Sequence, residues 1–196
     1  MSQYESEADS ILQLMHERVS YPRLTDPAPS GDELRSIMMT ALRAPDHKVL
    51  RPARYLLIEG DARVRLGEVF AEAAKLKDPE CGSAKIDKCL NMPLRAPLLL
   101  VAVSKNIAHP KVPHFEQEQH VAAGLAHILL ALQAKGFGGI WRTGDMALDE
   151  HVKTSLGIDQ HESLVGFLYI GTPVGESKRI PELDFEDFFS YWPSNL

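Results

Sequence analysis

The spacing of apolar and polar positions divides the chain into helices and strands before any motif is considered. Ala8, Ile11, Leu12 and Met15 recur at helical spacing and predict an amphipathic helix over residues 6–18, stopped by Pro22. After the stiff connector Asp26-Pro27-Ala28-Pro29, Ser30 with Glu33 three residues on reads as a capping box. It opens a second helix whose apolar face is Leu34, Ile37, Met38, Ala41 and Leu42 and which Pro45 ends. Residues 55–59 read as a strand closed by Gly60-Asp61. Leu66, Val69, Phe70 and Ala73 mark a third helix, and Ile86, Cys89 and Leu90 a short fourth. The run LLLVAVS at 98–104 has no polar alternation, which predicts a strand buried on both faces.

Residues 121–144 stand out. VAAGLAHILLALQAK is apolar on almost every helical face, so it must be enclosed by protein or by lipid. It is shorter than the roughly 18 residues of a membrane span, which leaves protein. Ala122, Ala123 and Ala126 would let a neighbouring backbone come close, at the centre of the molecule or of a symmetric dimer. Gly136 suits the helix end. Gly138-Gly139 then lead into Ile140 and Trp141, where two glycines admit a flat ligand or another backbone. A small helix at 150–156 capped by Gly157, a strand at 165–171 and a tail rich in aromatics complete the chain. That tail, with Phe185, Phe188, Phe189, Tyr191 and Trp192, needs something to pack on. The order of elements suits an α+β domain over residues 1–196, with four or five strands and no interdomain linker.

Composition narrows the function. The chain has 196 residues, with 21 basic against 27 acidic side chains and a net charge of −6, which argues against a broad nucleic-acid surface. Cys81 and Cys89 lack CxxC spacing and point to a reducing compartment, and the polar start MSQYESEADS lacks a secretory pattern. A cytoplasmic protein with no membrane partner is expected.

GFGGIWRTG invites a dinucleotide-loop reading, but it lacks the full G-x-G-x-x-G and follows a helix where that fingerprint follows a strand. Read alone, it is a glycine-lined core strand with one exposed arginine. His109, His114, His120 and His127 lack the i,i+4 spacing of a zinc pair, so no metal site is expected. No G-x-S-x-G occurs, and neither cysteine has an evident activating base. What remains is a set of cations and hydroxyls: Arg18 with Ser20, Arg43 with His47, and Trp141-Arg142-Thr143. Guanidinium groups of this kind hold phosphate oxygens through paired charge-assisted hydrogen bonds.

Taken with Arg18-x-Ser20, DPAPSGDEL, RAPDHK at 43–48 and VGFLYIGTP at 165–173, GFGGIWRTG makes the sequence resemble the nitroreductase family of flavin mononucleotide enzymes, its compact members above all. The match spans nearly the whole chain. It implies a mostly antiparallel sheet of four to five strands flanked by helices, in an intertwined homodimer with FMN at the subunit interface. By position, the resemblance places Arg18, Val19 and Ser20 along the phosphate and ribityl chain, with Trp141, Arg142 and Thr143 from the same subunit. Arg43 and His47 would reach the flavin from the partner. The long apolar helix would be the dimer seam, and the aromatic tail would embrace the other protomer.

The activity so implied is ping-pong transfer of two electrons from NADH or NADPH through flavin N5 to a small planar acceptor, a nitroaromatic or quinone. No side chain then need act as nucleophile or metal ligand. The alternatives on the same fold are reductive dehalogenation, oxidation of a cyclic substrate, or a flavin-binding dimer without catalysis. Arg23 is one candidate for neutralising the reduced flavin. The sequence departs from larger relatives at Val19, at Asp46-His47 and at Arg51-Pro52-Ala53, positions that bear on the acceptor rather than the cofactor.

Overall fold

The computed structural model describes residues 3–176 and 178–192, with side chains from residue 8 onward. Among them, five strands form one antiparallel sheet. They are β1 (Leu24–Thr25), β2 (Ala53–Glu59), β3 (Leu98–Ser104), β4 (Gly138–Arg142) and β5 (Ser163–Pro173). The helices are α1 (Gln3–Glu17), α2 (Gly31–Met39), α3 (Ala62–Lys77), α4 (Ser83–Asn91), α5 (His114–Ala134), α6 (Gly144–Leu148) and α7 (Glu150–Ser155). The α+β architecture expected from the order of elements is the one observed.

The sheet explains the sequence pattern strand by strand. β3 is bonded on one side to β2 and on the other to β5, and all seven of its residues are buried. Its side chains alternate between two cores. Leu99, Val101 and Val103 face Leu66 and Phe70 of α3, Cys89 of α4 and Val152 of α7. Leu98, Leu100 and Ala102 face Ile37 and Ala41 and the helix α5 residues Val121, Leu125, Ile128 and Leu132. An uninterrupted apolar run is what a strand sandwiched between two helical layers requires.

Helix α5 begins at His114, earlier than the apolar run suggests, because its first turns carry the buried polar side chains Gln117 and His120. Gln117 spends its amide on the carbonyl of Ile107 and accepts the Ile107 N–H, so the polar start is satisfied inside the chain. The chain does not cover the helix all round. Ala122, Ala123 and Leu130 are only half-buried and Ala126 is exposed, which leaves the small-residue stripe partly uncovered by its own chain. Ile11, Leu12 and Met15 of α1 are each more than half exposed, as are Phe188, Phe189, Tyr191 and Trp192 of the tail, where Phe189 stacks on Phe185 at 4.7 Å.

Sequence expectation and structure are set side by side at three points. Ser30 stands at the N-cap of α2, but its side chain makes no capping bond; only its carbonyl is used, by Leu34 N–H. Gly31 at φ +54° turns the chain into the helix at an angle that the Ser-x-x-Glu box does not use. The short strand β1 and the five-residue α6 were not anticipated, since two and five residues give no readable period. Of the two readings of the β4 glycines, close approach of the chain itself is the one seen. A Cβ on Gly138 would lie 2.7 Å from the Tyr21 ring and from Pro173, and one on Gly139 would lie 3.0 Å from Leu129.

Candidate functional site

The chain places the candidate residues in three groups around β4 and α5. Tyr21 N–H donates to the Gly139 carbonyl at 3.2 Å, so the segment carrying Arg18, Val19 and Ser20 runs in beside the start of β4. All three are half-buried. Arg18 Nη1 is buried and has no hydrogen-bond partner among the described residues. A guanidinium nitrogen removed from water and left unpaired is costly, and a hydrogen-bond acceptor, an anion best of all, would complete it.

At the other end of the strand, Trp141, Arg142 and Thr143 wall an open cavity of about 570 Å³. Trp141 is held by an unusual feature of β5. The pairing of β3 with β5 shifts at Ala102/Val103, which leaves Val165 as an extra residue in β5. The bulge turns the Val165 carbonyl to accept the Trp141 indole N–H at 3.4 Å. Its other half is Gly166, at φ +153°, where a Cβ would lie 2.2 Å from that indole nitrogen. Only glycine lets the indole lie across β5. Phe167, edge-to-face with Phe70 at 5.4 Å, and Tyr169 continue the aromatic lining.

Sequence reasoning missed the third wall. Lys85, Lys88, Cys89 and Met92 come from α4 and its end, and Arg95 from the turn after it. The signal was present in part, since Lys85, Lys88 and Cys89 share one helical face. Nothing in the sequence says that α4 reaches β4. It does so by lying tight against α3, where a Cβ on Gly67 would sit 2.3 Å from the Leu90 carbonyl. Burial pushes the Cys89 thiol up, opposed by the charges of Lys85 and Lys88. Burial likewise raises the Tyr169 phenol, against Arg95 and Arg142. Both groups lie in the lining of the cavity. Arg23 is not among the cavity's walls.

Arg43 and His47 line none of this cavity. They belong to the connection from α2 to β2, which packs on the first half of α5. His47 Nδ1 pairs with Glu116 Oε2 at 2.9 Å, and the exposed Arg43 side chain makes no hydrogen bond or ion pair among the described residues. A second open cavity of about 570 Å³ lies here, lined by Asp46, His47, Glu116, Gln119, His120 and Ala123. The α5 histidines are used structurally: His120 donates to the Pro45 carbonyl at 3.0 Å and His127 to the Thr40 carbonyl at 3.2 Å. Among the described residues no three His, Cys, Asp or Glu side chains gather as metal ligands, and no helix is long and apolar enough to cross a membrane.

A sheet threaded by a central β5, a helix-backed β4 with an aromatic and cationic end, and an arginine with a buried, unpartnered nitrogen beside its start define a class. The chain belongs to the Nitroreductase family, whose model matches residues 16–172. The Escherichia coli K12 protein named "Putative NAD(P)H nitroreductase YdjA" is 39% identical over 162 residues, covering 83% of this chain and 87% of the relative. Solved structures share the fold at lower identity. A nitroreductase-like family protein from Bacillus cereus superposes with a TM-score of 0.77 at 20% identity, covering 94% of this chain and 96% of that one. The FMN and NADPH-dependent nitroreductase NfnB from Sphigopyxis sp. strain HMH does so with a TM-score of 0.74 at 16% identity, covering 92% and 98%.

Proposed function

We propose that the protein is an FMN-dependent NAD(P)H oxidoreductase that passes two electrons in alternation from NADH or NADPH to a nitroaromatic or quinone. The observation that carries this is the buried, unpartnered guanidinium nitrogen of Arg18. A phosphate is the group that fits it, and the names and folds of the relatives make FMN the molecule that brings one. FMN, when bound, supplies the two-electron chemistry. The residues of this chain do the rest. Arg18 takes phosphate oxygens, with Val19 and Ser20 along the ribityl chain. Trp141 offers a flat face, and Arg142 and Thr143 offer donors toward the polar edge of the ring. β4 spans the roughly 10 Å between these two ends. The aromatic walls exclude water from the ring face, and Lys88, Arg95 and Arg142 replace Arg23 as the cations that balance negative charge there.

Arg43 and His47 lie away from this cavity, and we assign them to the site of a second copy, in a homodimer sealed by the uncovered faces of α5 and α1. The exposed aromatic tail has the character of a segment that packs on a partner. Two free thiols, Cys81 and Cys89, suit a reducing cytoplasm. An absorption spectrum of the purified protein, followed by steady-state NADH and NADPH oxidation with a nitroaromatic and with a quinone, tests the reading. Flavin bands with turnover are expected. Flavin bound without turnover across acceptors would make the protein a flavin-binding module instead, and a colourless protein would end the assignment.

A further inference from the structure

The short turn that carries His47 is fixed from three directions. His120 of α5 donates to the Pro45 carbonyl at 3.0 Å. The Asp46 carboxylate accepts the N–H groups of Leu50 at 3.0 Å and Arg51 at 2.8 Å. The His47 ring itself meets a carboxylate from the first turn of α5, with Nδ1 2.9 Å from Glu116 Oε2. Directly after His47 the backbone takes positive φ at Lys48 and Val49, 62° and 54°. Non-glycine residues hold such conformations only where their surroundings impose them, and they gather at ligand clamps. The His47 side chain is 50% exposed and that of Glu116 36%, so the pair adds little to the stability of the chain. What the anchors fix is where the ring points.

A carboxylate can only accept a hydrogen bond. In the pair with Glu116, His47 Nδ1 therefore carries the proton, and Nε2 has no partner among the described residues. Without that bond an imidazole in water favours the opposite tautomer, with its proton on Nε2. We infer that Glu116 is a positioning residue: it fixes the tautomer and orientation of His47 so that Nε2, an acceptor while the ring is neutral, is presented to the flavin of a second copy. This rests on the assignment of His47 to the second copy's site in the flavin reading above. Glu116 acts through His47 alone. A ring already fixed has less freedom to lose when flavin arrives, an advantage of about 2- to 10-fold in affinity.

The test uses the flavin-loaded protein with Glu116→Gln and His47→Ala, singly and combined. Glutamine keeps the size of the side chain but can donate as well as accept, so it no longer dictates the tautomer. Long-range nitrogen–proton correlation spectra at alkaline pH, with the His47 signals assigned by their loss in His47→Ala, read the proton directly. It should sit on Nδ1 in the unaltered protein and lose that preference in Glu116→Gln. Flavin affinity by equilibrium dialysis should fall about 2- to 10-fold in Glu116→Gln. Adding Glu116→Gln to His47→Ala should change it by less than about 2-fold. A proton on Nε2 in the unaltered protein would overturn the inference, and so would unchanged flavin affinity in Glu116→Gln. Equal losses from Glu116→Gln with and without His47 would also overturn it, because Glu116 would then act by another route. A protein that binds no flavin, or that binds it equally well as His47→Ala, would instead sink the reading of the site. The spectra would then still decide whether Glu116 sets the His47 tautomer.

Discussion

The carboxylate of Asp46 accepts the backbone N–H of Arg51 at 2.8 Å. It also accepts Leu50 N–H at 3.0 Å, while the Asp46 carbonyl takes Val49 N–H at 3.1 Å. Between these anchors Lys48, Val49 and Arg51 all hold positive φ, at 62°, 54° and 52°. Such conformations cost about 1–3 kcal/mol each in non-glycine residues, most of all in a β-branched one, and persist only where other contacts impose them. Asp46→Ala therefore removes what holds the turn carrying His47. A loss of about 1.5–3 kcal/mol in urea denaturation is expected, together with weaker flavin retention. Unchanged values for both would show that the turn is held elsewhere.

Gly166→Ala places a methyl group 2.2 Å from the Trp141 indole nitrogen, at a φ that alanine adopts only under strain. The indole must leave its place on β5. We expect about 2–3 kcal/mol of destabilisation and a changed near-ultraviolet circular dichroism spectrum, with flavin lost in parallel. An unaltered spectrum would mean that Trp141 is seated by something other than the bulge.

Arg18→Ala and Arg142→Ala should each weaken flavin binding by about 1.5–3 kcal/mol, roughly 10- to 150-fold, measured by equilibrium dialysis. The assignment of His47 to a second copy adds a sharper experiment. Mixing an inactive Arg18 variant with an inactive His47 variant and exchanging subunits should restore activity, because one site in each heterodimer is then intact. Absence of recovery after confirmed exchange would place both residues in one chain's site.

Arg54 clamps Glu162 through two side-chain hydrogen bonds and ties it to the Gly157 carbonyl as well. The hydrogen bond from Arg54 holds the Glu162 carboxyl below its usual range, against the opposing effect of burial. A depressed folded-state value stabilises the protein above the unfolded carboxylate pKa, about 4.3, and that stability is lost as pH falls through the folded value. Glu162→Gln should therefore cost about 1–3 kcal/mol at neutral pH and progressively less on acidification. Parallel pH profiles for the two proteins would show that the clamp contributes nothing to acid sensitivity.

Much was legible in the chain itself. The apolar run 98–104 reads as a doubly covered strand because a strand between two helical layers has no solvent face to mark with polar residues. Gly136 and Gly157 read as helix ends and stand there with φ of +78° and +65°. Arg18, Arg43, His47 and Arg142 could be singled out by chemistry, but their grouping could not. Local sequence carries no term for which strand neighbours which.

Sequence alone thus determined the longer elements, the family and the residue types able to hold a phosphate and a flat ring, since periodicity, turn chemistry and charge are local properties. Tertiary structure decided the rest. It turned the glycines of β4 into seats for Tyr21 and Leu129, made Gly166 the condition for placing Trp141, and carried Lys85 and Lys88 on α4, and Arg95 on the turn after it, into the cavity. It also separated Arg43 and His47 from that cavity. Each of these depends on packing between segments distant along the chain, where van der Waals exclusion and burial, not neighbouring residues, set position.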